Sequence, residues 1–392
     1  MARTPVDVHL ARVAAAIEPL RPRPTETVLL ADALGRVTAS SVASPIDLPP
    51  FRNSQMDGFA VRAADLPGEL PIAADIPAAP GVPKTLAPGT AARIMTGAPV
   101  PDGADAIVPV EAARVTADRV GLPAADAGAF VRDRGSDLPA GSQLVPAGVL
   151  LASRHLAALA AAGLTAVDVT ARVRIAIIST GSELAEPGTR LRPGQIPDAN
   201  GIALEAAARS AGAEVVHRTR VADAPADFAT ALDDAVERGA ELIVTSGGIS
   251  QGDYEVVREV LEPRGATVDV LAMQPGGPQA LAAWAGRPVV CFPGNPVSSQ
   301  LSFEIFLAPA LRRIAALPPR RRGPAPLAVD VSSVAGKRQY LRGRRLPDGT
   351  VETVAGPGSH LVAALAASDV LLIVPEDVTE MAAGESVETW DL

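Results

Sequence analysis

Residues 174–184 read Arg-Ile-Ala-Ile-Ile-Ser-Thr-Gly-Ser-Glu-Leu, four uninterrupted apolar residues that give way to a small, polar, glycine-containing loop. A strand with one wet face alternates apolar and polar residues; an unbroken apolar run is what a strand covered on both faces looks like. The same pattern returns at Glu214-Val-Val-His217, Leu242-Ile-Val-Thr245 and Val289-Val-Cys-Phe292. Helical stretches separate these runs. One is predicted from about Asn200, a plausible N-cap, to Ser210, and another over 226–238, with Phe228, Leu232 and Val236 on one face and Gly239 behind it. Two more are expected near 254–262 and over about 297–314. Strand and helix in alternation predict a three-layer α/β domain over 172–318, its parallel sheet covered on both faces.

Outward from this domain the patterns change. Residues 4–18 carry Val6, Leu10, Val13 and Ile17 at helical spacing, and 150–162 form a second helical stretch stopped by Gly163. We assign 1–42 and 146–171 to a helical and linker domain. Residues 43–145, dense in Pro and Gly with short Val/Ile runs, form an inserted β-rich domain. The arginine-rich linker Leu317-Pro-Pro-Arg-Arg-Arg-Gly-Pro324 introduces short alternating runs that predict a C-terminal β-barrel over 319–392. The fold class is therefore α/β plus β, in several domains, as a chain of 392 residues leads one to expect.

A net charge of −9 lacks the basic stripe that neutralises phosphates along a nucleic acid, so no nucleic-acid partner is expected. The lone Cys291 sits in an apolar run and reads as a buried small hydrophobe, and the four histidines have no metal-ligand spacing. No window of about 18 apolar residues lacks charge, so no direct membrane insertion is expected, and the predicted location is cytoplasmic.

In an open parallel sheet, ligands bind beyond the C-terminal ends of the strands. Three polar loops fall there: Ser179-Thr-Gly-Ser-Glu183, Ser246-Gly-Gly-Ile-Ser-Gln-Gly-Asp253 and Pro293-Gly-Asn-Pro-Val-Ser298. Taken singly, Gly247-Gly248 serves equally as a tight turn, Asp223 as a helix cap, and Glu183 and Asp253 as solvated acids. Converging at one sheet edge, backbone amides and three acids suggest a phosphate or nucleotide site with magnesium held by Glu183, Asp223 and Asp253. No Walker loop, G-x-S-x-G elbow or H-E-x-x-H helix occurs.

The combination of Leu48-Pro-Pro-Phe-Arg-Asn-Ser-Gln-Met-Asp-Gly-Phe-Ala-Val-Arg62, Arg93-Ile-Met-Thr-Gly-Ala-Pro-Val-Pro101, Ser179-Thr-Gly-Ser-Glu-Leu184, Thr245-Ser-Gly-Gly-Ile-Ser250 and Pro293-Gly-Asn-Pro-Val-Ser298 resembles the molybdopterin molybdenumtransferase family. These are the bacterial MoeA proteins, similar to the E domain of gephyrin. The resemblance implies a homodimer whose α/β domain is of molybdopterin-binding type. It also implies a reaction in which adenylylated molybdopterin and molybdate are the substrates, AMP is released and Mg2+ is required. Carried over residue by residue, the catalytic positions fall on Asp57, Thr96, Glu183, Asp223 and Asp253. In the dimer, the partner subunit completes the cleft. Substrate-binding positions fall on Asp137, Ser246, Gly247, Gly248, Ser250, Gln274, Pro293, Gly294, Asn295, Pro296, Ser298, Arg338, Ser359 and His360.

One stretch departs from the family. Where its members commonly carry Lys-Pro-Gly-Lys-Pro, this chain has Gln274-Pro-Gly-Gly277-Pro278 within the uncharged run 272–281, between expected strands at 268–273 and 288–292. Two missing cations, each worth on the order of 1 to 4 kcal/mol beside an anion, change how a dianion is held. The retained acids favour an active molybdenum insertase. The lost lysines motivate the alternative, a gephyrin-like dimeric scaffold that binds a peptide of a partner protein.

Overall fold

The computed structural model describes residues 3–250 and 255–392. The chain divides into two compact units, the N-terminal residues to Glu26 together with Thr170–Leu392, and Thr27–Val169.

The first unit is built on a six-stranded sheet. Its elements in chain order are helix α1 (Val6–Ile17), strand β1 (Arg174–Thr180), α2 (Ala199–Ser210), β2 (Glu214–Val221), α3 (Pro225–Glu237), β3 (Leu242–Ser246), α4 (Val256–Leu261), β4 (Thr267–Val270), β5 (Pro278–Trp284), β6 (Arg287–Phe292) and α5 (Pro296–Ser302). The strand order is β2-β1-β3-β6-β5-β4. β2, β1, β3 and β6 run parallel, as expected, whereas β5 and β4 join antiparallel at one edge.

Alternate residues of β1 feed two cores. Ile175 and Ile177 face a cluster with Leu204, Phe292 and Phe306, while Ala176 and Ile178 face Phe228, Leu232 and Val257. This two-sided burial is why β1 and β3 could not alternate in sequence. Helix α1, expected to share a domain with residues 146–171, inserts Val6, Val13 and Ile17 into the first of these cores. The helix expected over 297–314 is interrupted: α5 passes through a π-helical stretch, Phe303–Leu307, before Ala308–Ile314.

The N-cap of α2 is Asp198, whose carboxylate accepts from the Gly201 N–H at 3.0 Å; the expected cap, Asn200, lies inside the first turn. The expected strand at 268–273 is two strands in different sheets. β4 pairs with β5, while Met273–Gln274 pairs in parallel with β8 (Arg338–Arg345) of the C-terminal sheet. That sheet also holds β7 (Arg322–Pro326), β9 (Val370–Val374) and β10 (Ser386–Asp391) around a core of Leu341, Val351, Leu372 and Val387.

The second unit is organised by another six-stranded sheet, in which Gly58–Val61 lies between Ala91–Ile94 and Ala106–Pro109. Among the described residues no helix is long and apolar enough to cross a membrane.

Candidate functional site

A cavity of about 710 Å³ opens at the C-terminal ends of β1, β3 and β6, where an open α/β sheet places its ligands. Six segments of the first unit wall it: Thr180–Leu184, Ile196–Asn200, Gly247–Ser250, Gln274–Gly276, Pro293–Ser298 and Pro357–His360 each contribute lining residues.

Backbone constraints shape these walls. Gly247 has φ +96°, and a Cβ there would lie 2.5 Å from the Thr180 carbonyl oxygen, so the close approach of the β1 and β3 loops requires glycine. The Gly247 N–H donates to the Phe292 carbonyl at 3.0 Å, tying the second loop to the third. Asn200, 5% exposed, donates its side-chain amide to the Gly294 carbonyl at 2.7 Å. The Val297 N–H donates to the Ser359 carbonyl, bringing in the C-terminal loop. Behind that loop Arg342, 3% exposed, donates to the carbonyls of Gly356 and Gly358.

The polar groups that remain have a definite sign. Glu183, Asp198, Asp223 and Glu255 line the cavity, and no lysine or arginine stands among the described lining residues. Asp223 and Ser182 grip each other: the Ser182 N–H donates to the Asp223 carboxylate at 2.9 Å and the Asp223 N–H to the Ser182 hydroxyl at 3.1 Å. This role replaces the helix cap, since α3 is capped by Ala224 without a side-chain bond. A cavity whose fixed charge is carboxylate and whose walls are amide-rich loops favours an anionic phosphate ligand that brings a cation with it.

Glu183, Asp223, Gly247, Gly248, Ser250, Gln274, Pro293, Gly294, Asn295, Pro296, Ser298, Ser359 and His360 are all brought to this cavity. Ser246 lies just beneath it, 1% exposed at the end of β3. Arg338 is not in the lining: its guanidinium makes two bonds to the Asp7 carboxylate, at 2.8 and 3.0 Å, and sits 3.1 Å from Glu376. Asp253 lies outside the described residues. In the second unit Asp57 and Thr96 meet, the Thr96 N–H and hydroxyl donating to one carboxylate oxygen at 2.6 and 2.8 Å. These donors hold the Asp57 carboxyl below the usual aspartate range, the backbone N–H contributing most. Asp137, in the same unit, is exposed, and its N–H donates to the Leu48 carbonyl.

Among the described residues no three His, Cys, Asp or Glu side chains form a metal-holding group. Glu183 and Asp223 on one wall suit a hydrated hard cation, which needs few protein oxygens and keeps its water. The sequence reading missed Asp198, Gln339 and the part Asn200 plays beyond a helix start, although the Asp-Ala-Asn order before an apolar-periodic helix was a signal for Asp198 and Asn200.

Fold and cavity together define an α/β domain, joined to a C-terminal β domain, with a polar cavity of ligand size at its sheet edge. Three family descriptions match the chain in order: the MoeA N-terminal region (domain I and II) over residues 4–163, a probable molybdopterin binding domain over 176–313, and the MoeA C-terminal region (domain IV) over 324–392. Molybdopterin molybdenumtransferase 2 of Mycobacterium tuberculosis (strain ATCC 25618 / H37Rv) is 46% identical over 387 residues, covering 93% of this chain and 95% of that one. Molybdopterin molybdenumtransferase of Nostoc sp. is 36% identical, covering 93% and 88%. The crystal structure of a molybdopterin biosynthesis MoeA protein from Pyrococcus horikosii superposes with a TM-score of 0.78 at 31% identity, covering 99% of both chains. The chain belongs to the molybdopterin molybdenumtransferase family.

Proposed function

We propose that this chain is a transferase of molybdenum cofactor biosynthesis that inserts molybdenum from molybdate into adenylylated molybdopterin, with release of AMP. The observation that carries this reading is the charge of the cavity. Its described lining has loop amides suited to phosphate oxygens, four carboxylates and no lysine or arginine, so a phosphate-bearing substrate calls for a divalent partner. Its volume suits a ligand of nucleotide size.

Mg2+, when bound, supplies charge neutralisation and polarisation at the phosphate oxygens. Glu183 and Asp223 are the residues that would hold its hydrated ion, and Ser182 keeps the Asp223 carboxylate in place. Asn200 and Gly247 set the distance between the Gly294 turn and the β3 loop. In a homodimer, Asp57 and Thr96 are the residues we assign to the partner's cleft. The Asp57 carboxyl is held ionised by the two Thr96 donors and is acceptor-only at neutral pH.

The relatives found are transferases by name, and they give the scaffold alternative no support. Purified protein supplied with adenylylated molybdopterin, molybdate and Mg2+ should release AMP and form cofactor. Binding of the adenylylated pterin with no AMP release at excess molybdate and Mg2+ would overturn the proposal.

A further inference from the structure

The uncharged run 272–281 is held by buried carboxamides. Gln279, fully buried in β5, donates its amide nitrogen to the Gly276 carbonyl at 2.8 Å and meets the Ser302 hydroxyl at 2.6 Å. Gln339, 2% exposed in β8, is the direct cross-strand neighbour of Gln274 and donates its Nε2 to the Gln274 Oε1 at 3.0 Å. Gln274 itself is half-buried and lines the cavity. Its backbone is held by strand pairing and its side chain by the bond to Gln339, so what decides its effect on a ligand is which end of its carboxamide faces the cavity.

A carboxamide has an acceptor end and a donor end, and a turn about its last bond exchanges them. Against an anion the two are opposite in effect. The Gln339 donor holds the Oε1 of Gln274 on the strand side and leaves its Nε2 as the group for the cavity. We propose that Gln339 is a positioning residue that fixes the Gln274 carboxamide donor-first, so that this chain takes up its oxyanion with a neutral hydrogen-bond donor in place of a cation.

Two observations favour a built arrangement over an accident of packing. Burying a polar carboxamide at 2% exposure in a strand is costly unless its bond is used, and Gln339 makes one side-chain bond, to Gln274, while its own Oε1 has no partner. The preceding strand residue, Arg338, on the opposite face, is turned to Asp7 and Glu376, and both terminal nitrogens of Arg342 donate to Gly356 and Gly358. No side-chain cation in β8 therefore replaces Gln274 at the cavity lining.

This inference rests on the proposed function, since it takes the ligand of the 274–276 wall to be molybdate. Its test is a double-mutant cycle with Gln339→Met and Gln274→Met, which keep length and apolar packing while removing the donors. The readings are the half-saturating molybdate concentration for AMP release and molybdate binding by calorimetry. Each single variant should weaken molybdate by about tenfold, the scale of one net hydrogen bond to a charged group, with the maximal rate falling less than the affinity. The double variant should be no worse than Gln274→Met alone, because Gln339 acts only through Gln274. Unchanged molybdate affinity in Gln339→Met, or penalties that add in the double variant, would overturn it. Failure of the wild-type chain to release AMP is a separate result that strikes the proposed function, and the calorimetric cycle still decides the role of Gln339.

Discussion

The side-chain amide of Asn200 reaches across from the first turn of α2 to the Gly294 carbonyl at 2.7 Å, so that a helix following β1 fixes a turn following β6. Asn200→Ala removes the only side-chain donor to that carbonyl among the described residues and should cost about 1 to 3 kcal/mol in urea unfolding. Asn200→Asp keeps the shape but faces one carbonyl with another acceptor. It should lose more of the molybdate-dependent rate than the alanine variant at neutral pH. Equal rates in the two variants would show that the donor itself is not what matters.

A second pair reports on ionisation. Asp57 accepts both the N–H and the hydroxyl of Thr96, and its carboxyl titrates below the usual aspartate range. Thr96→Val deletes the hydroxyl and keeps the larger, backbone contribution. The Asp57 midpoint followed by NMR should rise while remaining below that of an unstructured aspartate. Because the folded value is the lower one, this group's contribution to stability is present above the unfolded midpoint and fades as pH falls through the folded one. The acid limb of the rate profile should move upward with the substitution.

How far the residues announced this arrangement depends on what each position had to satisfy. β1, β3 and β6 were legible because burial on two faces leaves no room for polar residues, and their terminal loops follow from the sheet's topology. β5 was not. It begins with Pro278, carries the fully buried Gln279 and is otherwise mostly alanine, so neither alternation nor β-branching marks it. The 272–281 run was read as one loop and in fact ends one short strand and starts another. On β8 the sequence drew attention to Arg338, yet pairing directs Arg338 to Asp7 and places Arg342 behind the Gly356–His360 loop. Strand alternation is visible in a sequence; which of its two faces meets the site is a tertiary fact. Gln339, and the role of Asn200 beyond a helix start, were hidden for another reason, since a buried carboxamide looks like any surface one until its partner is seen.

Glu304, in the π-helical stretch before Ala308–Ile314, is held by Arg320, whose Nη2 donates to it at 3.2 Å. Burial pushes its carboxyl above the usual glutamate range, and Arg320 and Arg312 oppose this. The folded state therefore holds a proton that the unfolded state has already released, and stability falls as pH rises through that window. Arg320→Ala leaves the carboxylate without its ion-pair partner and should cost about 3 kcal/mol at neutral pH. The loss should shrink when urea unfolding is repeated at pH near 5. A penalty independent of pH would mean that packing of the arginine stem, not its charge, is what was lost.

Gly247 tests the close approach of the loops. With φ +96° and the Thr180 carbonyl oxygen 2.5 Å from any added Cβ, Gly247→Ala must either open the β1 and β3 loops or strain the backbone. A loss of stability of about 2 kcal/mol or more is expected, together with weakened binding of the adenylylated pterin measured by calorimetry. Wild-type affinity in the folded alanine variant would separate this turn from the ligand.

The pairing of Gln274 with Gln339 makes a charge swap informative. Gln339→Glu removes the donor, so the Gln274 amide nitrogen must turn back to the new carboxylate and its oxygen toward the cavity, where it opposes an anion. Molybdate affinity should fall by more than in Gln339→Met. Adding Gln274→Lys to that variant gives the carboxylate an ammonium partner at the same cross-strand position and returns a cation to the cavity wall. The double variant should recover much of the lost affinity, and its molybdate binding should weaken with added salt more steeply than the wild type, because an exposed ammonium is screened and a neutral donor is not. The wild-type chain, with no lysine or arginine in the described lining, should show the shallower dependence. If Gln339→Glu with Gln274→Lys binds no better than Gln339→Glu alone, the two positions are not coupled through the anion, and the carboxamide pair is packing only.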